Sequence, residues 1–145
     1  MLRLHAAKAA AGEPLGVVAD QVGCPTATHT LAAACWRAIG VGADADGPRI
    51  LHWSDAGAAS WYDFAVAIGE LGVATGLLRS AAAVLPLTTA DYPTPAQRPS
   101  YSLLDCTESR RSLALQPIHW RQALLEVLQG IPQPAVEASQ RQAMA

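Results

Sequence analysis

Thr88-Thr89-Ala90-Asp91-Tyr92-Pro93-Thr94-Pro95-Ala96-Gln97-Arg98-Pro99-Ser100-Tyr101-Ser102-Leu103-Leu104-Asp105 decides how the rest of the chain is read. Three prolines within residues 93–99 exclude both helix and central strand. The stretch is not a plain linker, because it carries two tyrosines, an arginine and several hydroxyls. It then runs into an apolar segment, with a strand expected over residues 101–104. A stiff, polar loop of this kind is expected to hold something, and Arg98 points to an anion.

On either side of this loop the pattern alternates between strand and helix. A helix is expected over residues 1–11, stopped by Gly12 and Pro14. A strand follows over 15–19, centred on Val17 and Val18. Residues 20–26 read as a turn-forming loop. Thr26 or Thr28 caps a second helix with Leu31, Cys35, Ala38 and Ile39 as its apolar stripe, closed at Gly40. Residues 41–48 read as a flexible loop and 49–53 as a second strand. Ser60 and Asp63 form a capping box for a third helix, whose inner face is Trp61, Phe64, Ala65 and Ile68. Gly69 or Gly72 ends that helix or marks a close contact. Residues 84–87 contain Pro86 and so read as an edge strand. Asp105 and Glu108 suggest another capping box and a short helix ending near Leu115. A last helix spans 119–128, with Trp120, Leu124, Val127 and Leu128 on one side. Residues 132–145 are expected to fray as a tail. The class is α/β, with about four helices and only three or four short strands, which suits one lobe of a larger protein.

Composition narrows the partners. The chain has 145 residues, 51% hydrophobic and 15% charged, so it can bury a core. Its formal charge is -2, and Lys8 is its single lysine. The arginines are scattered, which argues against nucleic acid as a partner. No apolar run is long enough for a membrane span, and no signal peptide is apparent. Three cysteines, Cys24, Cys35 and Cys106, fit free thiols in a reducing cytoplasm better than a disulfide framework.

Several short patterns fail on context. Gly69-x-x-Gly72-x-x-x-Gly76 follows a helix rather than a strand, so its amides are not aimed at a phosphate. Asp44-x-Asp46-Gly47 resembles a calcium loop, but Gly42 and Trp53 stand where the outer ligands belong. His5, His29, His52 and His119 share no metal-ligand spacing with the cysteines and read as surface or capping residues. No metal site is expected.

Longer segments carry a resemblance. Met1-Leu2-Arg3-Leu4, Val17-Val18-Ala19-Asp20-Gln21-Val22-Gly23-Cys24-Pro25-Thr26, Leu51-His52-Trp53-Ser54 and Ser60-Trp61-Tyr62-Asp63-Phe64-Ala65 resemble the C-terminal half of dTDP-4-dehydrorhamnose reductases. So do residues 86–105, with the proline-rich loop as the most specific piece, and the closing Trp120-Arg121-Gln122-Ala123-Leu124. The order and spacing hold to about Ile131. The resemblance implies an extended short-chain dehydrogenase/reductase. Its Rossmann domain binds NADPH, and a smaller lobe grips the dTDP-sugar. It implies hydride transfer to the C4 ketone of dTDP-4-dehydro-L-rhamnose, with a Tyr-x-x-x-Lys pair donating the proton. A lysine cation beside the phenol lowers the pKa of the tyrosine.

This sequence departs from that pattern. Every tyrosine, Tyr62, Tyr92 and Tyr101, follows the sole lysine, so Tyr-x-x-x-Lys cannot occur. The Gly-rich fingerprint is also missing. The expectation is a substrate-binding lobe, residues 1–131, with the Rossmann half absent and no catalytic residue. NADPH belongs to the intact family and is not expected to bind this chain alone. The expected partners are a dTDP-sugar, held weakly, and the missing Rossmann half or a homo-oligomer partner. A non-catalytic binding or regulatory module is the alternative. Arg98, pinned between prolines, is the best candidate to pair with the diphosphate, and Gln21 and Thr26 lie on a loop that faces the sugar, forms the pocket wall or simply turns. Tyr92 and Tyr101 are candidates to stack on or hydrogen-bond the substrate, with aromatic packing as the alternative. Trp61 and Trp120 are expected in the core, and Arg110 and Arg111 on a solvated helix face.

Overall fold

A computed structural model describes residues 1–41 and 50–132. Its elements in order are α1 (Leu2–Ala11), β1 (Leu15–Val18), β2 (Val22–Gly23), α2 (Thr28–Val41), β3 (Ala59–Ser60), α3 (Trp61–Ala74), β4 (Val84–Leu87), a 3₁₀ turn (Thr89–Asp91), α4 (Thr107–Leu113) and α5 (Trp120–Gln129). The fold is α/β, with five α-helices among the described residues rather than about four.

α1 ends where the sequence says it must. Gly12 adopts the left-handed conformation (φ 66°), and the Gly12 and Glu13 amides reach back to the carbonyls of Ala9 and Lys8. β1 then pairs in parallel with β4, from Leu15 opposite Val84 to Val18 opposite Leu87. Among the described residues this sheet has two strands, so both are edges and Pro86 is tolerated. β2 pairs antiparallel with β3, Val22 opposite Ser60 and Gly23 opposite Ala59. The core lies between α3 and α5, where Ala67 and Ile68 pack with Trp120, Leu124 and Leu128.

α3 starts on the expected capping box. Ser60 Oγ accepts from the Asp63 amide at 3.1 Å, and Asp63 Oδ2 accepts from the Ser60 amide at 2.8 Å. Gly69 and Gly72 do not end α3, which runs on to Ala74. They mark close packing instead, against His5 at Gly69 and against Leu78 and Leu2 at Gly72.

Several expectations are corrected. Residues 20–26 are not all loop, because β2 forms inside them. The expected strand at 49–53 does not form among the described residues 50–53. There the His52 amide donates to Ser109 Oγ at 2.8 Å, so a side chain replaces a ladder partner. The strand expected at 101–104 shrinks to one bridge between Tyr101 and Val22. α2 passes through Gly40 to Val41, and it buries Ala34 while Leu31, Cys35 and Ile39 stay exposed. Trp61 is 56% exposed rather than core, whereas Trp120 is buried. Val127 is also exposed, at the edge of the α5 stripe. Asp105 accepts from the Thr107 amide at 2.9 Å, but no box with Glu108 forms. His5 is fully buried, with Nε2 bonded to the Ala65 carbonyl at 2.9 Å. Arg110 is not solvated like Arg111. Its Nη2 donates to the carbonyls of Ser54 and Asp55 at 3.3 and 3.4 Å. The loop expected at 41–48 and the tail at 132–145 lie outside the described residues, apart from Val41 in α2 and Pro132.

Candidate functional site

The short β2 strand is the hub of the candidate site. Val22 faces β3 on one side and the proline-rich segment on the other. The Val22 amide donates to the Ser100 carbonyl at 2.8 Å. The Ser102 amide and hydroxyl both donate back to the Val22 carbonyl, at 2.8 and 3.2 Å. These bonds fasten a segment that its prolines keep out of any regular ladder. Pro99 also biases Arg98 toward extended backbone, so the guanidinium projects from a stiff support.

The result is a cleft of about 700 Å³ between three walls. Residues 21–26 form the first, Arg98, Pro99, Ser102 and Leu104 the second, and Trp53, Ser54, Ala59, Ser60, Trp61 and Phe64 the third. That volume lies within the range of small-molecule sites, roughly 300–1,000 Å³. Gln21, Thr26 and Arg98 therefore line one cavity, although the first two are more than 70 residues from Arg98 in sequence. Tyr92 and Tyr101 do not line it. They are 58% and 67% exposed on the same proline-rich stretch. No carboxylate among the described residues pairs with Arg98, which leaves its charge available to an anion.

The walls are fixed by polar contacts that the sequence did not signal. Asp55 is buried, and its Oδ2 accepts from the Ala27 amide at 2.9 Å. Thr26 Oγ1 donates to the Cys24 carbonyl at 3.2 Å and accepts from the Asp55 amide at 3.3 Å. Cys24 Sγ donates to the Asp55 carbonyl at 3.1 Å. Burial, and then the Asp55 charge, push the Cys24 thiol up from its ordinary pKa. Cys24 is thus held as a neutral thiol in the cleft wall rather than as a nucleophile.

The proline-rich arm has a second anchor at its start. Asp20 accepts from the Thr89 amide at 2.9 and 3.0 Å and from the Thr89 hydroxyl at 2.7 Å. Those bonds hold the Asp20 carboxyl below its ordinary pKa. Gln21 Nε2 donates to Thr89 Oγ1 at 3.1 Å, so Asp20, Gln21 and Thr89 form one network. Asp91 is lowered in the same way by the Thr88 hydroxyl and amide.

The Gly69–Gly72 pair does not form a dinucleotide cradle. Gly69 and Gly72 are buried inside α3, and a Cβ at either would strike His5 or Leu78 rather than open space. No group of His, Cys, Asp and Glu able to hold a metal occurs among the described residues. No helix among them is long and apolar enough to cross a membrane.

Comparison with known proteins identifies the family and the fold. A dTDP-4-dehydrorhamnose reductase from Aggregatibacter actinomycetemcomitans is 40% identical over 116 residues, covering 78% of this chain and 39% of the relative. The spore coat polysaccharide biosynthesis protein SpsK of Bacillus subtilis is 39% identical over 133 residues, covering 89% of this chain and 40% of SpsK. The crystal structure of dTDP-4-dehydrorhamnose reductase from Bacillus anthracis, in complex with NADP, superposes with a TM-score of 0.71 at 26% identity. That match covers 88% of this chain and 42% of the reductase. The chain therefore spans about two fifths of the length of each relative. The family described as RmlD substrate binding domain matches residues 1–132, a span that includes every residue the structure describes. By that match and by its fold, the chain belongs to the RmlD substrate binding domain family.

Proposed function

We propose that this chain is the sugar-nucleotide-holding lobe of a dTDP-4-dehydrorhamnose reductase. The intact enzyme reduces the C4 ketone of dTDP-4-dehydro-L-rhamnose to dTDP-L-rhamnose with NADPH as hydride source. This lobe grips the dTDP-sugar, and a dinucleotide-binding domain supplies the hydride and the proton-donating Tyr-x-x-x-Lys pair. That domain stands on the same polypeptide or on another. The observation that carries the reading is the convergence of Arg98, Gln21 and Thr26 on one cleft of about 700 Å³.

Within this reading Arg98 pairs with the diphosphate, whose oxygens suit the planar guanidinium fork. Gln21, oriented by Thr89, and Thr26, oriented by Cys24 and Asp55, offer polar contacts from the opposite wall. Tyr92 and Tyr101 belong to the rim of the site rather than to its lining. A lobe alone makes only part of the contacts, so its affinity is weaker than that of a closed two-domain cleft.

Calorimetric titration with dTDP tests the assignment of Arg98. The parent chain is expected to bind, and Arg98→Ala to bind about tenfold more weakly, as suits one charge-assisted contact at an exposed position. Equal affinity of the two proteins would remove Arg98 from the phosphate site.

A further inference from the structure

Trp61 is the residue whose position its helical pattern does not explain. Its spacing with Phe64, Ala65 and Ile68 places it on the inner face of α3, yet 56% of it is exposed and it lines the cleft that holds Arg98. Leaving more than half of an indole in water forgoes a large apolar burial. The side chain is nevertheless firmly supported. Trp61 is the first residue of α3, and the Ser60–Asp63 capping box fixes the backbone beneath it. Its ring meets Phe64 with centroids 6.5 Å apart at 60°. Phe64 in turn meets the buried Trp120 nearly edge-on, at 6.1 Å and 73°. A chain of three rings thus runs from the core to the cleft and ends in an open indole.

We infer that Trp61 is the stacking platform for the pyrimidine base of the bound sugar nucleotide. The inference rests on the reading of the cleft as a dTDP-sugar site and adds the residue that recognises the base. An indole presents a flat π surface, and a pyrimidine is the flat part of this ligand. The hexose is puckered, and the diphosphate is charged and suited to Arg98 on another wall. Base stacking on an aromatic side chain is tolerant of ring substituents. Trp61 therefore supplies affinity for the nucleotide half, while polar groups of the cleft choose among bases. The tilted contact with Phe64 restricts the indole before ligand arrives, so little side-chain freedom is lost on binding.

The test compares the parent, Trp61→Ala and Trp61→Phe by calorimetry with dTDP and with inorganic pyrophosphate. Circular dichroism verifies that each variant keeps its helix content. Trp61→Ala is expected to lose about tenfold in dTDP affinity and to leave pyrophosphate binding unchanged, whereas Trp61→Phe keeps most of the affinity. If the parent binds dTDP and Trp61→Ala binds it equally well, the stacking role is overturned while the cleft assignment stands. The same holds if Trp61→Ala weakens only a dTDP-hexose and not dTDP, which would give Trp61 to the sugar. Equal loss of pyrophosphate and dTDP would make Trp61 a general support of the cleft and overturn base stacking. A parent chain that binds neither dTDP nor a dTDP-hexose overturns the cleft assignment and the inference together.

Discussion

Gly69 shows at the scale of one residue how packing overrides local preference. Alanine at a mid-helix position gains about 1 kcal/mol of helix propensity over glycine. A Cβ at Gly69, however, would lie 2.8 Å from His5 Cε1 and 3.1 Å from Ala81 Cβ. His5 cannot retreat, because it is fully buried and bonded to the Ala65 carbonyl. Overpacking of that kind costs about 1–3 kcal/mol. Gly69→Ala is therefore expected to lower the urea midpoint despite its better propensity, and an unchanged or raised midpoint would contradict the α1–α3 packing. In sequence, Gly69 was legible as either a helix end or a tight contact, and its partner was not legible. Nothing local marks His5 as buried, since α1 has alanines all round and no sharp apolar stripe. Trp61 failed for the complementary reason. Helical spacing tells which residues share a face but not whether another element covers that face. Arg110 likewise looks solvated by sequence, and only the neighbouring 54–55 carbonyls draw it inward.

Elements were legible where their chemistry is local. The Gly12 stop, the Ser60–Asp63 box and the proline-bearing edge strand all follow from a few adjacent residues. Pairings between distant segments were not, and they decided the strands at 49–53 and 101–104. The arm from Thr88 onward is held by one such distant tie and one local tie. Asp20 holds Thr89 from 69 residues away, and Asp91 holds Thr88. Both carboxyls have folded pKa values below their unfolded ones. The sign follows: their contribution to holding the arm is fully present above the ordinary aspartate range, about pH 3.9, and is lost as pH falls through the lower folded values. The Thr88 and Thr89 amide resonances are expected to titrate with midpoints below that ordinary value. In Asp20→Ala, the Thr89 amide should lose its shifted position at neutral pH. Midpoints at or above the ordinary value would contradict the tether.

At the scale of the whole molecule, the described residues form a lobe with two minimal sheets, a small core between α3 and α5, and the open cleft that Arg98 lines. The cleft exists because β2 joins three segments that the sequence keeps far apart: residues 21–26, 59–64 and 98–104. Arg98, Gln21 and Thr26 could be singled out in sequence by the stiffness and polarity of their loops and by resemblance. Their meeting in one cavity could not, because it depends on the Val22 bonds to Ser100 and Ser102. Likewise, Asp55 was not singled out, since a lone aspartate after a strand-like run gives no sign of burial. Under the proposed function, this cleft holds a dTDP nucleotide. The most direct test of that claim is an amide-resolved NMR titration of the chain with dTDP. Saturable shifts are predicted at residues 21–26 and 98–102 and at the Trp61 indole, with α2 and the outer face of α5 unmoved. Saturable shifts confined to other surfaces, or none at millimolar dTDP, would contradict it.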